Sequence, residues 1–245
     1  MWPFNKPRAS VGKKWLNGAT DYHTHILPGV DDGIEDMKQA VEVLKAYERW
    51  GVRAVWLTPH VMEDCPNATS ALRERFYDLT AAYQAVCGPG PVSLHLGAEY
   101  MLDACFSERL EAGDLLTVAD SRHLLVETSY FSPPLMFDKL LKRISQKGYT
   151  VLLAHPERYR YMEMSDYENL RNRGVRMQLD VTSLAGEFGV ESQRRACILL
   201  KKGFYDLAGS DLHSLSVFKE WINAAADKAT CQLLQSLSLH KKESI

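Results

Sequence analysis

From Ala19 onward, short apolar runs alternate with stretches in which apolar residues return every three or four positions. The first kind reads as strands and the second as helices packed on them. Strands are expected near residues 19–25, 53–60, 92–100, 123–128, 150–158, 175–181 and 204–213. The run TVLLAHPER opens almost wholly apolar, as in a parallel strand buried on both faces. Met37, Ala40, Val41, Leu44 and Tyr47 fall on one helical face, and Gly51 stands where a left-handed cap belongs. Asn67 is a candidate cap for a helix through Leu72, Phe76, Leu79 and Tyr83, which a Gly-Pro-Gly-Pro break ends at Gly88. Further helices are expected after Pro134 (Leu140, Leu141, Ile144), around Tyr167 to Arg173, from Glu191 to Lys202 and from Val217 to Ala229.

Seven strand–helix units in succession imply a parallel sheet with right-handed crossovers. Closed on itself, such a sheet is a TIM-like α/β barrel with one unit fewer than usual. A doubly wound open sheet usually carries a glycine-rich phosphate loop after its first strand, whereas the turn here, HILPGVDDG, has no GxGxxG or GK[ST] pattern. No shift of composition interrupts residues 19–230, which are read as one barrel domain. A basic and aromatic arm precedes it over 1–18 (Trp2, Phe4, Lys6, Arg8, Lys13, Lys14, Trp15), and a polar tail follows over 231–245. The arm reads either as a frayed terminus or as a docking arm for a partner or an anionic membrane face.

Composition narrows the class. At 245 residues, 46% hydrophobic and 24% charged, the chain suits one barrel-sized domain. A net charge of -2 without a dominant basic stripe disfavours a nucleic-acid partner. Five cysteines without a CxxC pair point to a reducing compartment. No apolar run reaches the roughly 20 residues of a membrane helix. The N-terminus carries no signal-peptide core, so a cytoplasmic address is expected.

The strand ends carry the chemistry. His23 and His25, two apart where the first strand runs out, leave it on the same side, and a Pro-Gly turn then offers Asp31 and Asp32. Later strand ends supply His60, Glu99, Glu127, His155, Asp211 and His213. Five of the eight histidines thus stand at equivalent positions, where chance would scatter them through helices and loops. His95, His123 and His240 read as a strand residue, a strand start and a tail residue. Imidazole and carboxylate are ligands for borderline divalent metals. Four carboxylates against three divalent ions would leave a local charge of about +2, suited to a phosphate monoester dianion. The bland alternative is a set of satisfied polar groups, but unpaired carboxylates this close would repel one another.

In order, HTH, TPH, GAEY, the glutamate after the fourth strand, AHPER and SDLH resemble the PHP (polymerase and histidinol phosphatase) superfamily. LPGVDDG, LLTVADSRHLLVE and AHPERY resemble its bacterial tyrosine-phosphatase branch, associated with capsule and exopolysaccharide loci. The resemblance covers roughly residues 20–213. It implies a distorted (β/α)7 barrel and three divalent ions, with manganese favoured and iron or zinc as alternatives. By it, His23, His25, Glu99 and Asp211 would hold one ion, Glu99, Glu127 and His155 a second, and Asp32, His60 and His213 the third. Asp31 is left to support a ligand, and Arg158 would grip the phosphate, so that Arg158, Glu99 and Asp211 stand at the reacting group. A second phosphate-binding arginine common in the family is absent; SLSVFKEW offers only Lys219, which supplies charge without a two-pronged fork.

The expected reaction is in-line hydrolysis of phosphotyrosine by a metal-activated water, with Arg158 and the ions stabilising the equatorial oxygens. No metal-free residue stands out as a general acid, which favours a phenol leaving group of pKa about 10. Tyr130, Phe131, Phe137, Tyr159 and Tyr161 are candidates to flank its ring. None of the five cysteines begins a Cx5R loop. The resemblance also implies a partner, the tyrosine-rich tail of a membrane-anchored bacterial kinase, and through it the inner membrane face. Three alternatives stand beside this reading. One is another PHP activity, on histidinol phosphate or in DNA processing, the latter disfavoured by the near-neutral net charge. Another is an amidohydrolase, disfavoured because Glu127 stands where that family often has a carboxylated lysine. The last is a catalytically weak, kinase-binding regulatory module.

Overall fold

The apolar runs pair side by side as parallel strands. The computed structural model describes residues 8–10, 15–119, 122–223 and 225–239. Its first half runs β1 (Arg8–Ser10), β2 (Thr20–Thr24), α1 (Met37–Trp50), β3 (Ala54–Leu57), β4 (His60–Val61), α2 (Thr69–Cys87), β5 (Ser93–Leu96), β6 (Glu99–Met101) and α3 (Ala104–Ala112). The second half runs β7 (His123–Glu127), α4 (Phe137–Gln146), β8 (Thr150–Ala154), α5 (Met164–Asn172), β9 (Arg176–Asp180), α6 (Gly189–Lys201), β10 (Leu207–Gly209), α7 (Leu215–Asn223), β11 (Ala225–Asp227) and α8 (Lys228–Leu239). β2, β3 and β5 form one parallel sheet, and β10, β9, β8, β7, β6 and β4 form another in that order.

Two expected strands are each split in two, and the splits pass the chain from one sheet to the other. The run 53–60 divides at Thr58–Pro59, where proline has no N–H to continue the ladder. The run 92–100 divides at Gly97, where an added Cβ would lie 2.6 Å from Val118 Cγ1. Thr58 N donates to Thr24 O at 2.8 Å, Gly97 N to Leu57 O at 2.8 Å and Glu99 N to Pro59 O at 3.0 Å, so pairing continues across both splits. At the far edge Asp211 N donates to His23 O (2.8 Å) and His25 N to Leu212 O (3.0 Å), which leads β10 back to β2. The parallel sheet is therefore curled. Trp56, Leu125, Leu152, Ala154 and Leu207, from β3, β7, β8 and β10, meet in a small apolar cluster inside the curl, while a larger core packs helices against strands. Glu127 lies two residues beyond Leu125 and so on the same face, which sets a carboxylate at the edge of this plug.

Local signals explain most helix ends. Asp36 caps α1, accepting from Gln39 N at 2.8 Å, and Gly51 (φ 76°) closes it in the left-handed region. α3 is not announced by periodicity, because only Phe106 and Leu110 face the core; its signals are the cap Asp103 and Gly113 (φ 70°). Asn67 does not cap α2, whose cap residue is Ala68. Its amide donates instead to Val30 O (2.8 Å) and His60 O (2.9 Å), tying together the loops that follow β2 and β4. The single helix expected over Val217–Ala229 is α7 and α8 with β11 between them, because β11 pairs antiparallel with β1 from the other end of the chain.

Trp15 is core rather than arm: it is 2% exposed, and its ring meets Trp221 edge-on at 5.8 Å. Arg8 lies in β1, and α8 carries the expected tail in helical form as far as Leu239. Trp2, Phe4, Lys6, Lys13, Lys14 and His240 lie outside the described residues. Among the described residues no helix is long and apolar enough to cross a membrane. Asp103 accepts from Phe106 N (2.9 Å) and from Glu63 N (2.8 Å), so one side chain caps α3 and anchors the loop after β4. Asp103→Ala is expected to cost about 1–2 kcal/mol and to lower the melting temperature by about 2–8 °C. Thermal unfolding checks this, and an unchanged midpoint would remove Asp103 from the account.

Candidate metal centre

The donors sit where strands end and the backbone is bent to aim them. His23 and His25 are fully buried at the end of β2, whose register against β3 shifts between Asp21 and Thr24. His155, just past β8, has φ 32°, and Asp211, just past β10, has φ 51°. Such left-handed values are strained for residues with a Cβ, and strain of this kind collects at functional sites. Two glycines let the backbone approach. A Cβ at Gly209 would lie 2.4 Å from His23 Cβ, and one at Gly33 would lie 2.2 Å from His25 O.

All nine side chains expected from the sequence converge. His23 Nε2 is 3.2 Å from both Glu99 Oε2 and Asp211 Oδ1, and His25 Nε2 is 3.1 Å from Asp211 Oδ1. His60 Nδ1 is 3.2 Å from Glu99 Oε2 and 3.2 Å from Glu127 Oε1. His155 Nε2 is 3.0 Å from Glu99 Oε1 and 3.9 Å from Glu127 Oε2. At the mouth, Asp32 Oδ1 is 3.4 Å from His213 Nε2 and 3.6 Å from His60 Nε2. Three sets can each hold a metal ion: His23, His25, Glu99 and Asp211; His60, Glu99 and Glu127; and His25, Asp32, His60 and His213. His25 and His60 thus each face two of the sets, whereas the resemblance gives each of them to one ion alone.

Charge balance decides what the cluster wants. Burial alone would pull the His23 imidazole down, but the carboxylates of Glu99 and Asp211 outweigh it and push its pKa up to about 9. Burial works against the charged forms of Glu99 and Asp211 too. The histidines, and Arg158 in the case of Asp211, outweigh it and hold both carboxyls well below their usual range. Protons on imidazoles thus supply positive charge that a metal ion would supply instead, in competition with them. Even so, Glu99 Oε2, Asp211 Oδ1 and His60 Nδ1 are buried without a well-formed hydrogen bond. A buried polar atom left without a hydrogen bond costs about 1–3 kcal/mol. A divalent cation among these atoms removes the deficit, so the residues fit a metal.

A second layer fixes the imidazoles. His23 Nδ1 bonds Gln178 Oε1 at 3.0 Å, His25 Nδ1 bonds Asp31 Oδ2 at 2.8 Å and His213 Nδ1 bonds the Asp211 carbonyl at 2.9 Å. Each pairing holds the Nδ1 proton outward, so that the neutral imidazole would turn its Nε2 lone pair inward. Arg158, 7% exposed, donates through Nη2 to Asp180 Oδ2 (2.5 Å) and pairs with Asp211 Oδ2 (2.7 Å), while its guanidinium lies 3.6 Å over the Phe188 ring. Asp180 in turn accepts from Thr182 N (2.8 Å) and Ser183 Oγ (3.0 Å). Arg158, Tyr130 and Phe188 share with the cluster a cavity of about 310 Å³.

A family model described as "Capsular polysaccharide synthesis, CpsB/CapC" matches residues 19–233. The chain belongs to the CpsB/CapC family. The tyrosine-protein phosphatase YwqE of Bacillus subtilis is 28% identical to it over 198 residues, covering 80% of this chain and 77% of YwqE. The tyrosine-protein phosphatase CpsB of Streptococcus pneumoniae is 27% identical over 217 residues, covering 84% of this chain and 88% of that protein. Among solved structures, a chain from the crystal structures of these two metal-dependent tyrosine phosphatases matches with a TM-score of 0.75 at 26% identity. That match covers 92% of this chain and 88% of the other.

In this CpsB/CapC chain the sequence reading missed Gln178 and Asp180, although both interrupt the apolar run VRMQLDV two residues apart, on one face of β9. Of the expected ring-flanking residues, Tyr159 is fully buried, with its hydroxyl on Ala154 O, and Phe137 opens α4 against the core. Lys219 is exposed on α7 and does not line the cavity. Gln178→Ala and Asp31→Ala are each expected to weaken manganese binding by about 10–100-fold. Titration calorimetry on the folded variants checks this; unchanged affinity would mean the imidazoles need no outer support. Gly209→Ala is expected to displace His23 and lose manganese binding outright, and wild-type affinity there would contradict the close approach.

Proposed function

We propose that this chain is a metal-dependent protein-tyrosine phosphatase acting in capsule or exopolysaccharide synthesis. One observation carries the reading: nine imidazole and carboxylate groups converge, with buried Glu99 and Asp211 oxygens that lack a well-formed hydrogen bond, beside an arginine that lines a cavity. The metal-dependent tyrosine phosphatases among its relatives support it. We read the curled sheet as a distorted (β/α)7 barrel spanning residues 19–230, supported by seven strand positions and the hydrogen bonds that return β10 to β2.

In this reading His23, His25, Glu99 and Asp211 hold one ion, Glu99, Glu127 and His155 a second, and Asp32, His60 and His213 a third. Manganese is favoured, with iron and zinc as alternatives, since mixed imidazole and carboxylate sets accept all three. When bound, the ions supply a water of lowered pKa and neutralise charge on the phosphoryl group. Arg158 takes the phosphate: Asp180 and Asp211 hold its Nη2, and its buried Nε–H has no partner of its own. Asp180 positions that arginine. Burial pushes the Tyr130 hydroxyl up to about 12, so it keeps its proton and offers a hydrogen bond rather than an acid. A phenolate leaving group, of pKa about 10, needs little proton assistance. Tyr130 and Phe188 flank its ring. We assign the tyrosine-rich tail of a membrane-anchored bacterial kinase as substrate, which sets the chain in the cytoplasm at the inner membrane face. Cys65, Cys87, Cys105 and Cys197 are not joined in disulfides, in keeping with a reducing compartment.

With manganese bound, Arg158→Ala is expected to lower kcat/KM for a phosphotyrosine peptide by about 10²–10³-fold. Removing the metal with a chelator is expected to abolish turnover, and manganese to restore it. A metal-loaded protein that turned over no aryl phosphate would favour the regulatory module, and preference for histidinol phosphate would favour another phosphoesterase.

A further inference from the structure

Nine large apolar side chains are exposed among the described residues, and seven of them lie in segments that follow β7, β9 or β10. These are the strand ends that carry Glu127, Asp180 and Asp211. Phe131, Leu135 and Met136, at 68%, 95% and 64% exposure, stand on the loop after β7 together with Tyr130. Phe188 and Val190 follow β9, and Val217 follows β10. Exposed apolar residues scattered singly need no explanation, whereas a contiguous set around a cavity mouth marks an interaction site.

Beside this rim runs a groove of about 690 Å³, lined by apolar Pro133, Met136, Phe137 and Tyr161 and also by charged Asp138, Lys139, Asp166 and Arg173. The groove and the cavity share a wall of stacked rings. Tyr130 lines the cavity and stacks on Tyr159 at 6.2 Å, and Tyr159 stacks on Tyr161, which lines the groove, at 5.8 Å. The Tyr130 and Tyr161 rings are therefore no more than about 12 Å apart. An extended peptide covers that distance in about three or four residues at roughly 3.3–3.6 Å each. The loop between them is held rather than loose: Arg160 N donates to Tyr130 O at 2.8 Å, its guanidinium lies over Phe131 at 5.0 Å, and Thr128 Oγ1 bonds Tyr161 Oη at 2.8 Å.

We propose that this groove is a second subsite for the substrate peptide, taking an apolar or aromatic side chain three or four residues from the phosphotyrosine. The inference rests on the phosphatase reading. A groove with an apolar stretch of Pro133, Met136 and Phe137, one ring stack away from the cavity, suits the flank of a peptide whose phosphotyrosine is already inside. A membrane or a second copy of the chain laid across the same rim would cover the mouth that the substrate must enter.

The test uses full-length, manganese-loaded protein, p-nitrophenyl phosphate, and two phosphotyrosine peptides that differ only in carrying leucine or serine at the third and fourth flanking positions. Both kcat/KM and peptide binding by fluorescence anisotropy are read. The wild type is expected to prefer the leucine peptide by about tenfold, mainly through KM. Met136→Asn and Met136→Asp are expected to erase that preference while leaving p-nitrophenyl phosphate turnover within about twofold; both residues tolerate the left-handed φ of 59° at Met136. Equal use of the two peptides by the wild type, or a preference kept by both variants, overturns the subsite. So does a rim whose loss instead abolishes self-association or binding to anionic vesicles. Absence of p-nitrophenyl phosphate turnover with the leucine preference kept in binding would sink the phosphatase reading and leave the groove standing.

Discussion

Carboxylates and imidazoles crowded into a largely buried space persist only if positive charge balances them. In this chain Glu99 is the centre of that constraint: fully buried, it lies within 3.2 Å of His23, His60 and His155 and has one oxygen without a well-formed hydrogen bond. Much of the surrounding structure serves the same demand. The left-handed backbone at His155 and Asp211, the side-chain-free approach at Gly33 and Gly209, and the bonds from Gln178 and Asp31 to histidine Nδ1 atoms all hold donors in a geometry that the isolated chain would not adopt. Asp211 joins this cluster to the substrate side, since one of its oxygens faces two histidines and the other faces Arg158.

The curled parallel sheet makes such a cluster reachable. Donors separated by nearly two hundred residues arrive at one end because each strand runs in the same direction and stops at the same level. The apolar plug of Trp56, Leu125 and Leu152 fills the interior, and the polar groups begin where the plug ends. Loops past these ends are free to differ without disturbing the cluster. The apolar rim has been built there, on the segments after β7, β9 and β10, rather than on the scaffold.

The donors were legible in the sequence because each closes an apolar run, a signal that is local and periodic. The strand splits were half legible: Pro59 and Gly97 mark them, but only the pairing partners show that the chain changes sheets there. α3 has just two core-facing residues, too few to establish a period. Trp15 reads as an exposed arm residue until Trp221, from the other end of the chain, is seen against it. The double facing of His60, and the use of Asn67 to tie loops rather than cap a helix, depend on three-dimensional register that no local pattern encodes. Gln178 and Asp180 are legible as polar breaks in the apolar run VRMQLDV, but which histidine and arginine they support depends on the neighbouring strands.

The claim that cations complete this cluster is tested most directly by equilibrium dialysis of chelator-stripped, full-length protein against manganese, with bound metal counted per chain. The account predicts saturation near three ions, as expected for a set of ligands with one bridging carboxylate. No tightly bound ion when manganese, zinc and iron are each supplied would contradict it.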